Sequence, residues 1–196
     1  MTLLRSKPVI ILGAGGHAKV CIDTLQCMGK EILGVVAPKE DIGKILDVKY
    51  LGDESVVSEY DPSDIELVNG IGLLPGKSLR KKIFEKFKEM DYKFLTIIHP
   101  FSVIACDVVL QEGVQIMAGS VIQPSVKIGY NTIINTKTSV DHDCTIGDHC
   151  HLAPGVTICG GVSIGSDVFI GCGSTVVHEV EIHKEMTIRA DSCIKS

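Results

Sequence analysis

The chain has 196 residues, 45% of them hydrophobic, and a net charge of -5 with acidic and basic residues interspersed. It is long enough to bury a sizeable core as one large or two small domains. No apolar run approaches the ~18–20 residues of a membrane span, and the mixed charge argues against nucleic acid or an anionic membrane as partner. The eight cysteines contain no C-x-x-C pair. With no secretory signal, they read as free thiols in a reducing cytoplasm.

In chain order, Pro8–Leu12 (PVIIL) reads as a buried strand, too short and too quickly followed by glycines to be the apolar part of a signal peptide. Gly13-Ala14-Gly15-Gly16 then turns into a helix near His17–Met28, and Glu31–Val36 is a second strand. Asp64–Asn69 gives a third strand, and Ser78–Met90 an amphipathic helix with Leu79, Ile83, Phe84 and Phe87 on one face. Tyr92–Ile98 reads as a closing strand and Pro100 as the junction. Alternating strands and helices imply a parallel sheet with right-handed crossovers, a Rossmann-like α/β domain over residues 1–100.

From Val103 the period changes to six. The second place of each hexad, from Ile104 through Ile194, is aliphatic without exception, and the sixth is mostly Val, Ser, Thr or Cys. Gly129, Gly147, Gly165 and Gly171 recur at the third place, where a sharp corner calls for glycine. Such a period belongs to a parallel β-helix over residues 101–196, with three hexads per triangular coil of 18 residues and about five coils.

Residues 18 apart stack, which aligns Pro124, His142, Gly160 and His178 in one corner column. His142 is expected outside the core, flanked by Asp141 and Asp143, either of which can hold its tautomer and support an imidazolium. Gly160, one coil on, leaves room and a backbone N–H beside the ring. The plain alternative is a solvated surface histidine. Cys144, His149, Cys150 and His151 suggest a metal, but both cysteines occupy the inward sixth place and the spacing matches no zinc pattern. No metal is expected, and Cys144 and Cys150 read as small core residues.

With VIILGAGGHAKV at Val9–Val20, the Ile98–Pro100 stretch and the hexads, the chain resembles the bacterial hexapeptide acyltransferases of the sialic-acid O-acetyltransferase family. That family includes the acetyltransferases of nucleotide-linked 4-amino sugars from bacillosamine and legionaminic-acid pathways. The resemblance covers almost the whole chain and implies a left-handed β-helix, acetyl-CoA as cosubstrate, no metal and direct acetyl transfer in the cytoplasm. It implies His142 as general base with Asp143 as its carboxylate neighbour, and Asn135 on the substrate side. It puts His151 near the acetyl group, and gives Gly160 as amide donor to the thioester oxygen, an oxyanion contact. Cys159, Gly161 and His178 complete the implied acetyl-CoA set. The sugar nucleotide falls to Gly13, Gly15, Gly16 and His17, a strand–turn–helix that cradles a diphosphate. Relatives of this kind are homotrimers with acetyl-CoA between neighbouring solenoids.

The chain departs from the pattern at two places. Many such relatives carry an acidic pair after the second strand, where this chain has Ala37-Pro38 followed by Lys39-Glu40-Asp41. It also ends at Ser196 without a Gly-x-Pro-Ala-type tail, which weakens the C-terminal CoA contacts; Lys184, Arg189 and Lys195 read as solvated charges. The expected activity is N-acetylation of a nucleotide-linked 4-amino sugar for surface-glycan or nonulosonic-acid synthesis, with O-acetylation of a sialic-acid-like sugar as the alternative. Gly13-x-Gly15-x-x-Ala18 also fits a dinucleotide fingerprint, but no acid stands at Val36-Ala37 to bind the ribose. A scaffold solenoid has no need of an exposed His–Asp pair beside a glycine.

Overall fold

The computed structural model describes residues 7–38 and 47–195, so Lys39, Glu40 and Asp41 lie outside the described residues. The chain divides into two compact units: residues up to Gly72 with Ser78–Leu95, and Leu73–Lys77 with Thr96 onward.

The first unit is a four-stranded, all-parallel sheet of β1 (Val9–Leu12), β2 (Ile32–Val36), β3 (Tyr50–Gly52) and β4 (Glu66–Asn69), in the order β3-β2-β1-β4. β1 is apolar throughout because it is buried on both faces. Ile10 and Leu12 join Leu67, Phe84, Phe87, Tyr92 and Phe94 in one cluster; Val9 and Ile11 point the other way. Helix α1 (Gly16–Cys27) buries Ala18, Cys21, Ile22 and Leu25, the i, i+3, i+4, i+7 stripe of a helix laid on a sheet. The strand order reverses between β1 and β4, so the crevice beyond their carboxyl ends is the natural ligand position in such a sheet.

Two expectations change here, and two elements appear that the sequence pattern did not mark. The inward face of helix α2 (Leu79–Glu89) runs through Arg80, Phe84 and Phe87, while Leu79 is 56% exposed. The closing strand splits: Phe94 forms a single parallel bridge to Leu67, whereas Ile97–Ile98 pairs with Gln115–Ile116 in the second unit. β3 and the 3₁₀ turn Glu54–Glu59 had no periodic signature; Asp53 starts that turn by accepting from the Ser55 N–H at 2.9 Å.

In the second unit the β-helix begins at Ile97, and Pro100 is the fourth residue of its first hexad. Each two-residue strand pairs in parallel with the strand 18 residues on, as Lys127–Ile128 does with Thr145–Ile146, giving sheets of five, six and six strands. The second-place aliphatics from Ile116 to Ile188 are all buried. Small polar residues at the sixth place are buried too, because each finds a carbonyl 15 residues on. Ser120, Thr132, Thr138 and Ser174 donate to Asn135, Gly147, Ala153 and Arg189 at 2.8–3.2 Å. Cys144 and Cys150 do the same at 3.1 Å to Cys159 and Gly165.

The corners are turned differently from the expectation. The left-handed residue is the fifth of each hexad, with φ between 54° and 75° at every fifth place from Gly113 to Asp191, as the third residue of a type II turn requires. The third-place glycines serve close packing instead: a Cβ on Gly147 would stand 2.6 Å from the Ser166 nitrogen, and one on Gly165 2.6 Å from that of Lys184.

Two variants test this register. Ile146→Asp puts a carboxylate into a fully apolar layer, and should unfold the β-helix or cost more than about 4 kcal/mol in a denaturant titration. A folded variant of unchanged midpoint would refute the hexad register. Gly147→Ala forces two coils apart and should lower stability by about 1–3 kcal/mol, whereas the same change at exposed Gly161 should act only through its left-handed backbone.

Candidate active site

The corner turn Asp141-His142-Asp143 presents the imidazole to solvent; its side chain is 61% exposed and that of Asp143 66%. Asp143 occupies the left-handed fifth place, φ 59°, which turns its carboxylate back onto the preceding ring. Its Oδ2 lies 2.7 Å from His142 Nδ1. Nδ1 therefore carries the proton and donates to the carboxylate, leaving Nε2 as the free base. Asp141 acts on the backbone, its Oδ1 accepting from the His142 N–H at 2.8 Å. The hydrogen bond His142 donates to Asp143, and secondarily the charge of Asp141, raise the His142 pKa above its ordinary 6.5.

Gly160 stacks against this ring. A Cβ there would stand 2.7 Å from Cε1 and 2.8 Å from Nε2 of His142, so the imidazole lies flat across the space the glycine leaves. The Gly161 N–H is taken by the His142 carbonyl at 2.9 Å and the Cys159 N–H by Val176 at 2.9 Å. Gly160, buried beneath the ring, is the one of these three whose N–H has no acceptor among the described residues. His178 is exposed one coil further along the column. Beside the corner, the outer sheet face dips into a shallow depression lined by Val121, Gln123, Ser139, Asp141, Thr157 and Cys159.

His151 sits elsewhere in the hexad, at the first place, and is 8% exposed. Its Nδ1 lies 3.1 Å from the Leu73 carbonyl and its Nε2 3.0 Å from Asn135 Nδ2. The ring is thus an Nδ1–H tautomer that donates to Leu73 and accepts from Asn135, stacked edge-on with Phe169 at 5.2 Å. Asn135 Oδ1 is engaged by the Thr136 N–H at 2.8 Å. The structure brings Asn135 and His151 together in one network and gives it a partner, Leu73, that no local pattern reveals 78 residues away.

In the first unit, Gly13 follows β1 with φ 103°, and a Cβ there would meet Ile71 Cγ1 at 3.0 Å. Gly15 caps α1 without a side-chain bond, and the first helical turn contains no acid. Nothing lies within 4 Å of a Cβ on Gly15 or Gly16. The open N–H groups and positive end of α1 make an anion cradle, with His17 half-buried at its start. Adjoining it is a cavity of about 440 Å³ lined by Leu12, Val36, Ile71 and Phe87, with Asp53 and Glu54 among its walls. Ala37 and Pro38, which follow β2, line it as well. The acids of its lining, Asp53 and Glu54, come from the turn after β3.

Residues 8–87 match the PglD N-terminal domain, and residues 125–160 the bacterial transferase hexapeptide. The chain is 33% identical over 104 residues to GDP-perosamine N-acetyltransferase of Escherichia coli O157:H7, a match covering 50% of this chain and 44% of that protein, so it spans less than half the length of that relative. A histidine-to-alanine mutant of GDP-perosamine N-acetyltransferase from Caulobacter crescentus, solved with CoA and GDP-perosamine, superposes with a TM-score of 0.88 at 33% identity, covering 96% of this chain and 88% of that one. The acetyltransferase domain of PglB from Neisseria gonorrhoeae shares the fold with a TM-score of 0.89 at 23% identity, over 97% and 92% of the two chains. A PglD-type α/β domain leading into a left-handed hexapeptide β-helix places this chain in the nucleotide-4-amino-sugar N-acetyltransferase family.

Proposed function

We propose that the chain is an acetyl-CoA-dependent N-acetyltransferase of a nucleotide-linked 4-amino sugar, with His142 as general base. The observation that carries this reading is the stack of His142 on Gly160, oriented by Asp143. Nε2 takes a proton from the sugar amine as its nitrogen attacks the thioester carbonyl. The Gly160 N–H receives the oxygen that becomes negative in the tetrahedral intermediate. Collapse expels the CoA thiolate, which takes up the proton from the imidazolium. Asp143 holds the tautomer and the ion formed on it. Asn135, locked to His151, turns a polar edge to the sugar.

The nucleotide diphosphate occupies the cradle at Gly13, Gly15, Gly16 and His17, and its nucleoside the adjoining cavity. The Caulobacter crescentus relative bound to CoA and GDP-perosamine supports acetyl-CoA and a nucleotide sugar as the two substrates. The active assembly is a cytoplasmic homotrimer in which a neighbouring solenoid covers the depression beside His142, where CoA runs past Cys159, Gly161 and His178.

His142→Ala should lower kcat by about 10²–10⁴ with the melting temperature nearly unchanged, since the ring lies outside the core; loss of folding would make the residue structural. The base works only when neutral, so kcat/KM should rise with pH through a pKa above 6.5. Asp143→Asn removes the main cause of that elevation and should move this acid limb to lower pH while reducing its plateau. A limb that stays in place would show that another group titrates. Thiol release from acetyl-CoA, measured against GDP-, UDP- and CMP-linked sugars, should occur with 4-amino acceptors; turnover confined to hydroxyl acceptors would replace the N-acetyl reading with an O-acetyl one.

A further inference from the structure

Arg80 is the largest fully buried side chain among the described residues, 2% exposed, and none of the chemistry above uses it. Its Nη1 donates to two backbone carbonyls, Asn69 at 2.8 Å and Ile71 at 2.7 Å. Asn69 answers from the other side: its Nδ2 donates to the Arg80 carbonyl at 2.9 Å and its Oδ1 accepts from the Ile71 N–H at 3.3 Å. These four bonds tie the first turn of α2 to the loop that leaves β4.

That loop is the second wall of the crevice at the switch point of the sheet. A Cβ on Gly70 would meet Leu12 O at 2.9 Å and Ala18 Cβ at 3.0 Å, and one on Gly72 would meet His17 Cβ at 3.4 Å. Ile71 in turn packs on Gly13. Residues 69–72 therefore lie against the glycine turn and the first residues of α1 without slack, and a shift in one is passed to the other. The clamp is also charged. Burial pulls the Arg80 pKa down to about 9, which still leaves the guanidinium protonated at neutral pH. The neighbouring Cys21 thiol is pushed up to about 12 and stays neutral, so it does not cancel that charge. A cation in low-dielectric surroundings acts further than one in water.

We propose that Arg80 is a positioning residue for the nucleotide-diphosphate cradle: by clamping the Asn69 and Ile71 carbonyls it fixes the loop that shapes the Gly13–His17 turn. This rests on the nucleotide-sugar reading above. The solenoid site has no part in it, so the two substrates of the reaction report separately.

The test is steady-state kinetics of full-length Arg80→Lys, Arg80→Met and Asn69→Ala, each substrate varied in turn, with thermal melting and calorimetric titration of GDP and UDP. The expected result is a KM for the nucleotide sugar, and a Kd for its nucleoside diphosphate, raised about ten- to a hundredfold, with the acetyl-CoA KM unmoved. Arg80→Lys should recover part of the loss by keeping the charge. Should Arg80→Met fail to fold, Asn69→Ala removes one strut of the same clamp without burying an unpaired charge, and must show the same split. Folded variants with the nucleotide-sugar KM within twofold of the wild type, or with both KM values raised alike, overturn the assignment. Wild-type protein that binds neither nucleotide overturns the nucleotide-sugar reading itself.

Discussion

The hydrogen-bond ladder with a period of 18 residues is the constraint on which the rest depends. Each strand is only two residues long and has no stability of its own; it exists because its N–H and C=O groups meet those of the coils on either side. A slip of one residue would turn every second-place aliphatic outward and every charged first-place residue inward, so the register is sharply specified. Once it is set, the corners stack as well. The N–H of Asp143 meets the Pro124 carbonyl, that of Gly161 meets His142, and that of Glu179 meets Gly160. The same ladder that closes the core thus delivers an imidazole and a bare glycine, whose N–H has no acceptor among the described residues, to one column.

The place a side chain holds in the hexad decides its chemistry more than its type does. His142 at the fourth place is exposed and hydrogen-bonded to a carboxylate, which leaves a basic nitrogen free. His151 at the first place is buried and spends both ring nitrogens on Asn135 and Leu73; it orders its surroundings. Cysteines divide in the same way. Cys144 and Cys150 at the sixth place are inert fillers whose thiols burial drives upward, Cys150 to about 12, while Cys159 at the third place faces the depression beside the base.

Much of this was legible in the sequence because the periods are strict. Sixteen aliphatics in step fix the coil length, and coil length alone aligns His142 with Gly160. The α/β unit was readable where elements are long and periodic, and unreadable at β3, whose three residues carry no period. On α2 the pattern picks out Ile83, Phe84 and Phe87 but puts Leu79 where Arg80 stands, because a cation looks like a surface residue until the carbonyls of Asn69 and Ile71 are seen beside it. Glycine at the third place was given the wrong cause. Gly147 and Gly165 have ordinary backbones and are kept small by the coil above, while the turn is made by the fifth residue. Pairings over long separations, such as His151 with Leu73, leave no trace in local pattern.

The left-handed fifth place is mostly filled by residues other than glycine, and at the His142 corner by Asp143. For an L-residue that conformation costs about 1–2 kcal/mol, eased for aspartate by its short polar side chain. Glycine would relax the corner, as it does at Gly155 and Gly161, and would remove the carboxylate that orients the His142 ring. At this turn a sturdier solenoid and a carboxylate-oriented imidazole are opposing demands on one residue, and the aspartate meets the second at the expense of the first.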